Sequence, residues 1–110
     1  MPLDDGKLRD IMDEMHKTLM KKNALYEDAV FEFGELGILI RAYDKVKRLR
    51  ALLERGAVPL IEQGIVKDIE EWKARLEDAW LDLAGYALLG LYYRRNRRVL
   101  TATHQSKQQY

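Results

Sequence analysis

A chain of 110 residues suits one domain with a real but modest core. Its 19 Lys and Arg against 18 Asp and Glu leave a formal charge of +1, so no global field selects nucleic acid or membrane and any electrostatic function must be local. The absence of cysteine excludes a disulfide framework and thiolate metal sites. The N-terminal MPLDDGKLRD has no apolar signal region, and the longest apolar run, Ala87 to Tyr93, is shorter than the roughly 20 residues a bilayer needs, so the expectation is a cytoplasmic protein without a membrane partner.

Asp4 and Asp5 stand as candidate N-caps before a first helix predicted over Lys7 to Lys22. Leu8, Ile11, Met12, Met15 and Leu19 make its apolar stripe. Lys17, Lys21 and Lys22 fall near its end, and Asn23, which tolerates a left-handed backbone, is the expected stop. Tyr26, Ala29, Val30 and Phe33 fit a short amphipathic helix ended by Gly34.

The principal helix is predicted from Gly34 to about Arg55. Ile38, Ala42, Val46, Leu49 and Leu53 recur at three- and four-residue spacing and form its core stripe. Arg41, Asp44, Lys45 and Arg48 form a second stripe beside the first, not opposite it, and a charged line bordering the core can line the mouth of a groove. Gly56 marks the helix end, and GAVPLIEQG reads as a loop around Pro59. A last long helix is expected from Val66 to about Tyr93, with Ile69, Trp72, Leu76, Ala79, Leu83, Ala87 and Gly90 on its apolar stripe and Glu71, Asp78, Asp82 and Gly85 alongside. Gly85 inside it costs roughly 1 kcal/mol relative to Ala, which points to a close approach by a backbone or ligand. The polar segment 101–110 reads as a mobile tail.

Four constellations carry candidate chemistry. Arg41, Lys45 and Arg48, with Asp44 to orient them, suit an anionic ligand, since Arg offers phosphate a planar fork and Lys a point charge; a solvated face of ion pairs is the plainer reading. Asp78 and Asp82, four apart, repel unless a cation lies between them, either Mg²⁺ with ligand phosphates or an arginine of the principal helix. Lys22, Asn23 and Tyr26 could read a base or sugar, or else mark a helix stop and a packed ring. Tyr92 to Arg98 mixes aromatic and basic residues as single-strand binders do, though helix C-termini also attract cations.

Taken together, Lys22-Asn23-x-x-Tyr26, Gly34-x-x-Gly37-Ile38-x-x-Arg41-x-x-Asp44-Lys45-x-x-Arg48-Leu49 and Asp78-x-x-x-Asp82-Leu83-Ala84-Gly85-Tyr86-Ala87 resemble the nucleotide modification associated domain 1 family, small helical proteins common in bacteriophages. The resemblance spans about Leu19 to Leu91 and rests mainly on the DKxxRL and DLAGYA boxes. It implies nucleotide handling or DNA-base modification during infection of a bacterial host, and gathers Lys22, Asn23, Tyr26, Arg41, Asp44, Lys45, Arg48, Asp78 and Asp82 into one site. A looser similarity is to the all-helical MazG-type nucleotide pyrophosphohydrolases, which hold Mg²⁺ with ExxE and ExxD boxes. Glu32-x-x-Glu35 matches the first in letters, with Gly34 inside it, and the second has no counterpart.

The expectation is therefore an all-α bundle of three main helices and one short one over residues 1–100, completed by homo-oligomerisation. It would bind a nucleotide and sequester it without catalysis. Mg²⁺-dependent pyrophosphohydrolysis and a DNA-binding accessory role are the alternatives.

Overall fold

The computed structural model describes residues 1–97, and the expected tail at 101–110 lies outside them. The described chain is all helical: α1 (Asp5–Tyr26), a 3-10 turn (Ala29–Phe31), α2 (Gly34–Arg55), α3 (Ala57–Glu62) and α4 (Ile69–Asn96).

Asp4 caps α1, its carboxylate accepting from the Lys7 amide at 2.9 Å. The helix runs past Asn23 to Tyr26 and ends on Glu27, whose N–H donates to the Asn23 carbonyl at 2.8 Å. Asn23 is therefore not the stop, and Lys17, Lys21 and Lys22 sit inside the helix. Glu27 and Asp28 both take left-handed backbone, φ 49° and 64°. Such conformations cost non-glycine residues about 1–2 kcal/mol each. The Asn23 side chain clasps the turn, its amide nitrogen donating to Asp28 Oδ1 at 2.8 Å and its amide oxygen accepting from the Asp28 N–H at 3.2 Å. In place of the expected helix over Tyr26 to Phe33 there is a 3-10 turn, held where Phe31 stacks on both Tyr92 (centroids 5.8 Å) and Tyr93 (6.0 Å).

Gly34 opens α2 at φ +70°, a conformation that favours glycine, and a Cβ there would stand 3.3 Å from Tyr93 Oη, which would have to give by a few tenths of an ångström. Gly56 ends α2 at φ 80°, ψ 170°, a region essentially open to glycine alone. It turns the chain straight into α3, where a loop was expected. Pro59 lies in the first turn of that helix and forfeits no intrahelical bond there.

α4 begins at Ile69, three residues later than predicted, and is capped by Asp68, which accepts from the Glu71 N–H at 2.8 Å while Glu71 accepts from the Lys67 N–H at 2.7 Å. Val66 is buried instead in a cluster with Leu52 and Leu60, against which Ile61, Trp72 and Leu76 pack. The Trp72 indole N–H donates to the Leu52 carbonyl at 3.0 Å.

α2 and α4 pack antiparallel: Leu52 meets Trp72 at one end, Ile38 abuts Gly90 near the other, and Arg94 binds Glu35 through both carboxylate oxygens at 2.7 and 3.0 Å. The buried line of α2 is Ile38, Leu49 and Leu52, with Ala42 and Lys45 half-buried between them. Val46 and Leu53, predicted for the core, are exposed, because the line steps through Lys45 and Leu52 instead. On α4, Ile69 and Ala87 likewise turn outward. On α1 only Met15 is buried and Leu19 half-buried, leaving Leu8, Ile11 and Met12 exposed.

Two outcomes follow. Glu27→Gly is expected to raise stability by about 0.5–1 kcal/mol in chemical denaturation, by removing the left-handed penalty from an exposed position. The hydrogen bond from Arg94 holds the Glu35 carboxyl below its ordinary 4.5, against a small desolvation cost and with help from the charges of Arg94 and Arg97. A depressed carboxyl contributes stability above its unfolded pKa and loses it as pH falls through the folded value. Glu35→Gln should thus destabilise by less than about 1 kcal/mol at neutral pH, the scale of an exposed pair, and the gap to wild type should close in acid melts as pH falls below the ordinary carboxyl value of 4.5 and through the lowered one.

Candidate functional site

α1 crosses α4 where Gly85 provides no side chain. A Cβ there would lie 3.3 Å from Leu19 and 3.5 Å from Met15, so the crossing uses the space a larger residue would fill. The expected close approach at Gly85 is therefore made by α1. One turn on from Leu19, Lys22 arrives over α4; one turn back from Gly85 stands Asp82. Lys22 Nζ lies 3.5 Å from Asp82 Oδ1, and Lys45 Nζ, from α2, lies 3.1 Å from Asp82 Oδ2. One carboxylate thus joins the three long helices. Asp82 and Lys45 are mostly shielded, their side chains 28% and 18% exposed, while Lys22 is open.

Beside this bridge lies a cleft of about 620 Å³, within the usual range for small-molecule sites. Of the nine sequence-predicted residues it gathers six: Lys22, Asn23, Tyr26, Arg41, Lys45 and Asp82. Arg41, one turn before Lys45, is exposed and forms no ion pair among the described residues. Met15, Leu19, Val30, Leu81 and Leu89 supply apolar wall, and Thr18 and Tyr86 bring hydroxyl-bearing side chains. The charged line bordering the core of α2 does reach a cleft, through Arg41 and Lys45.

Asp44, Arg48 and Asp78 are exposed and do not line the cleft. Asp78 stands one turn before Asp82 and Arg48 nearly one turn after Lys45, so both lie along their helices beyond the crossing of α1, while Asp44 is turned about 100° away from Lys45. The carboxylate pair of Asp78 and Asp82 is therefore split, and Asp82 is balanced by two lysines, not by an arginine of α2. Asn23 lines the cleft but spends its amide on the Asp28 turn. Thr18 and Tyr86 escaped sequence reasoning, although each stands one turn from a predicted residue, Thr18 from Lys22 and Tyr86 from Asp82.

The other candidate chemistry is consumed or dispersed. Glu32 lies in the turn before α2 and Glu35 in its first turn, bound to Arg94, so the two do not form a joint carboxylate site. Among the described residues no group of three or more His, Cys, Asp or Glu side chains is placed to hold a metal. A lone carboxylate among three cations does not fit Mg²⁺ on its own. In the basic run, Tyr92 and Tyr93 hold Phe31, Arg94 holds Glu35, and the Asn96 amide donates to the Tyr92 carbonyl at 2.9 Å; Arg98 lies outside the described residues. No described helix is long and apolar enough to cross a membrane.

Chemically, the cleft offers one guanidinium without an ion pair among the described residues, two ammonium groups sharing one carboxylate, and three hydroxyls, two of them on aromatic rings, over an apolar wall. That set complements a small ligand with an anionic and an apolar or aromatic part. Comparison with protein-family models, curated proteins and solved structures finds no match.

Asp82→Asn should cost about 1 kcal/mol, because Lys22 and Lys45 lose the charge between them. Millimolar inorganic phosphate should raise the melting temperature of this variant more than that of wild type, by occupying the vacated anionic position, and differential scanning fluorimetry reads both effects.

Proposed function

We propose that this chain binds a nucleotide in the cleft between α1, α2 and α4. The observation that carries the proposal is the convergence of Lys22 from α1 and Arg41 and Lys45 from α2 on a cavity whose described lining holds a single carboxylate, Asp82 of α4, with aromatic and apolar walls. Arg41 is the primary phosphate ligand, since it has no competing carboxylate among the described residues. Lys45 and Lys22 follow by releasing part of their hold on Asp82. Tyr26 and Tyr86 flank the base or sugar.

The resemblance to the phage nucleotide modification associated family adds to this reading. Lys45 of the DKxxRL box and Asp82, Gly85 and Tyr86 of the DLAGYA box all line the cleft. Holding a nucleotide, including a host signalling nucleotide, without converting it is favoured over turnover, because the one carboxylate in the cleft is already engaged by two lysines. A second copy of the chain is the proposed protein partner.

A thermal-shift screen of linear and cyclic nucleotides, with and without Mg²⁺, tests the reading. A ligand at 100 times its dissociation constant should stabilise by about 2.7 kcal/mol. It should be recovered intact on chromatography. Arg41→Ala should weaken binding tenfold or more, about 1.4 kcal/mol, and leave the ligand-free melting temperature unchanged. Conversion of the ligand only in the presence of Mg²⁺ would replace sequestration with hydrolysis. Failure of every nucleotide to shift the melt would overturn the nucleotide reading.

A further inference from the structure

Among the described elements α1 flanks the α2–α4 pair, and it covers one side. On α2, Ile38 and Leu49 face α4, while Arg41 and Lys45 turn toward the cleft. At about 100° per residue, Leu39, Tyr43 and Val46 lie on the opposite flank. On α4, Ala79 and Leu83 face α2, Asp82 and Gly85 turn toward the cleft, and Trp80, Leu88 and Leu91 lie on the far flank. Because the helices run antiparallel, the two far flanks point to the same side. They merge into one largely apolar face on the back of the pair, with the Lys47 ammonium 5.7 Å from the centroid of the Tyr43 ring.

The six side chains are 62%, 59%, 43%, 56%, 50% and 47% exposed in the order named. Together they present on the order of 600 Å², at the upper end of the ~300–600 Å² of the largest patch on a typical monomer. The face is bounded like an interface too: the Arg50–Glu54 ion pair lies toward one end, at 2.8 Å, and the Glu35–Arg94 pair toward the other.

We infer that this face is the contact surface for a second copy of the chain, packed across a two-fold axis so that α2 and α4 of both copies form a four-helix bundle. Two antiparallel helices that show an apolar flank on one side are half of such a bundle, and an identical half supplies a complement of the same length and area. Burying the face on both copies removes roughly 1,200 Å² from water, the lower end of the range for specific interfaces. The arrangement places α1 and both clefts on the outside of the dimer, so assembly and ligand binding are independent.

Light scattering coupled to size exclusion, at tens of micromolar protein, should give twice the 12.9 kDa chain mass. Tyr43→Glu with Trp80→Glu should halve that mass with an unchanged far-UV circular dichroism spectrum, since neither side chain is buried within one chain. Leu8→Glu, on α1, should leave the mass doubled. In Trp72→Phe the remaining tryptophan is Trp80, whose emission should move to the red on dilution through dissociation. A monomeric wild type, a doubled mass that survives the double substitution, or a Trp80 emission indifferent to dilution would each overturn the proposal. A monomer with blue-shifted Trp80 emission would do so by assigning the face to residues 98–110 of the same chain.

Discussion

Two helices, 22 and 28 residues long, lie against each other from the Gly34–Tyr93 end to the Leu52–Trp72 end, and every other described element takes its position from that pairing. At the Leu52 end the joint is apolar, with Leu52, Leu60 and Val66 buried together and the Trp72 indole tied to a backbone carbonyl. At the Gly34 end it is aromatic and ionic, through Phe31, Tyr92, Tyr93, Glu35 and Arg94. α3 closes the first joint and the 3-10 turn closes the second. Among the described elements only α1 approaches from the side, and it does so where Gly85 lets it in.

That geometry explains why the chemistry concentrates in one place. Where α1 crosses α4, three helices come near enough for charges to meet, and the sequence puts Lys22, Lys45 and Asp82 there. The excess cation on that side is Arg41. A half-buried bridge of this kind is weak evidence for stability, because desolvation offsets much of the attraction. It is better understood as holding two lysines in position beside a cavity. The Asn23 clasp contributes in the same way: it fixes the strained Glu27–Asp28 turn, and with it the direction in which the chain leaves the cleft toward α2.

The same pairing also explains the exposed surface. An antiparallel pair of helices has two sides. Here one side is closed by α1 around polar groups, and the other is lined with large apolar residues. Few apolar side chains are fully buried among the described residues, and many large ones are not. A third cover for the pair is the simplest way to account for that imbalance.

The sequence by itself determined the all-helical architecture, the termini of α2 at Gly34 and Gly56, the capping role of Asp4, and a charged line lying beside the core of α2. These follow from local physics: helical periodicity, caps, and backbone conformations that only glycine takes easily. It also singled out most of the polar residues of the cleft, because side chains three and four apart share a face wherever the helix sits. The tertiary structure alone decided the rest. Helical periodicity locates an apolar line only to within a residue or so of arc, and packing selected Leu52 over Leu53 and put Lys45 where Val46 was expected. It also decided that Asp82 but not Asp78, and Arg41 but not Arg48, would face α1, since that depends on where a third helix crosses. Glu35 and Arg94 lie 59 residues apart and no local pattern joins them. Only the antiparallel return of α4 along α2 brings them together.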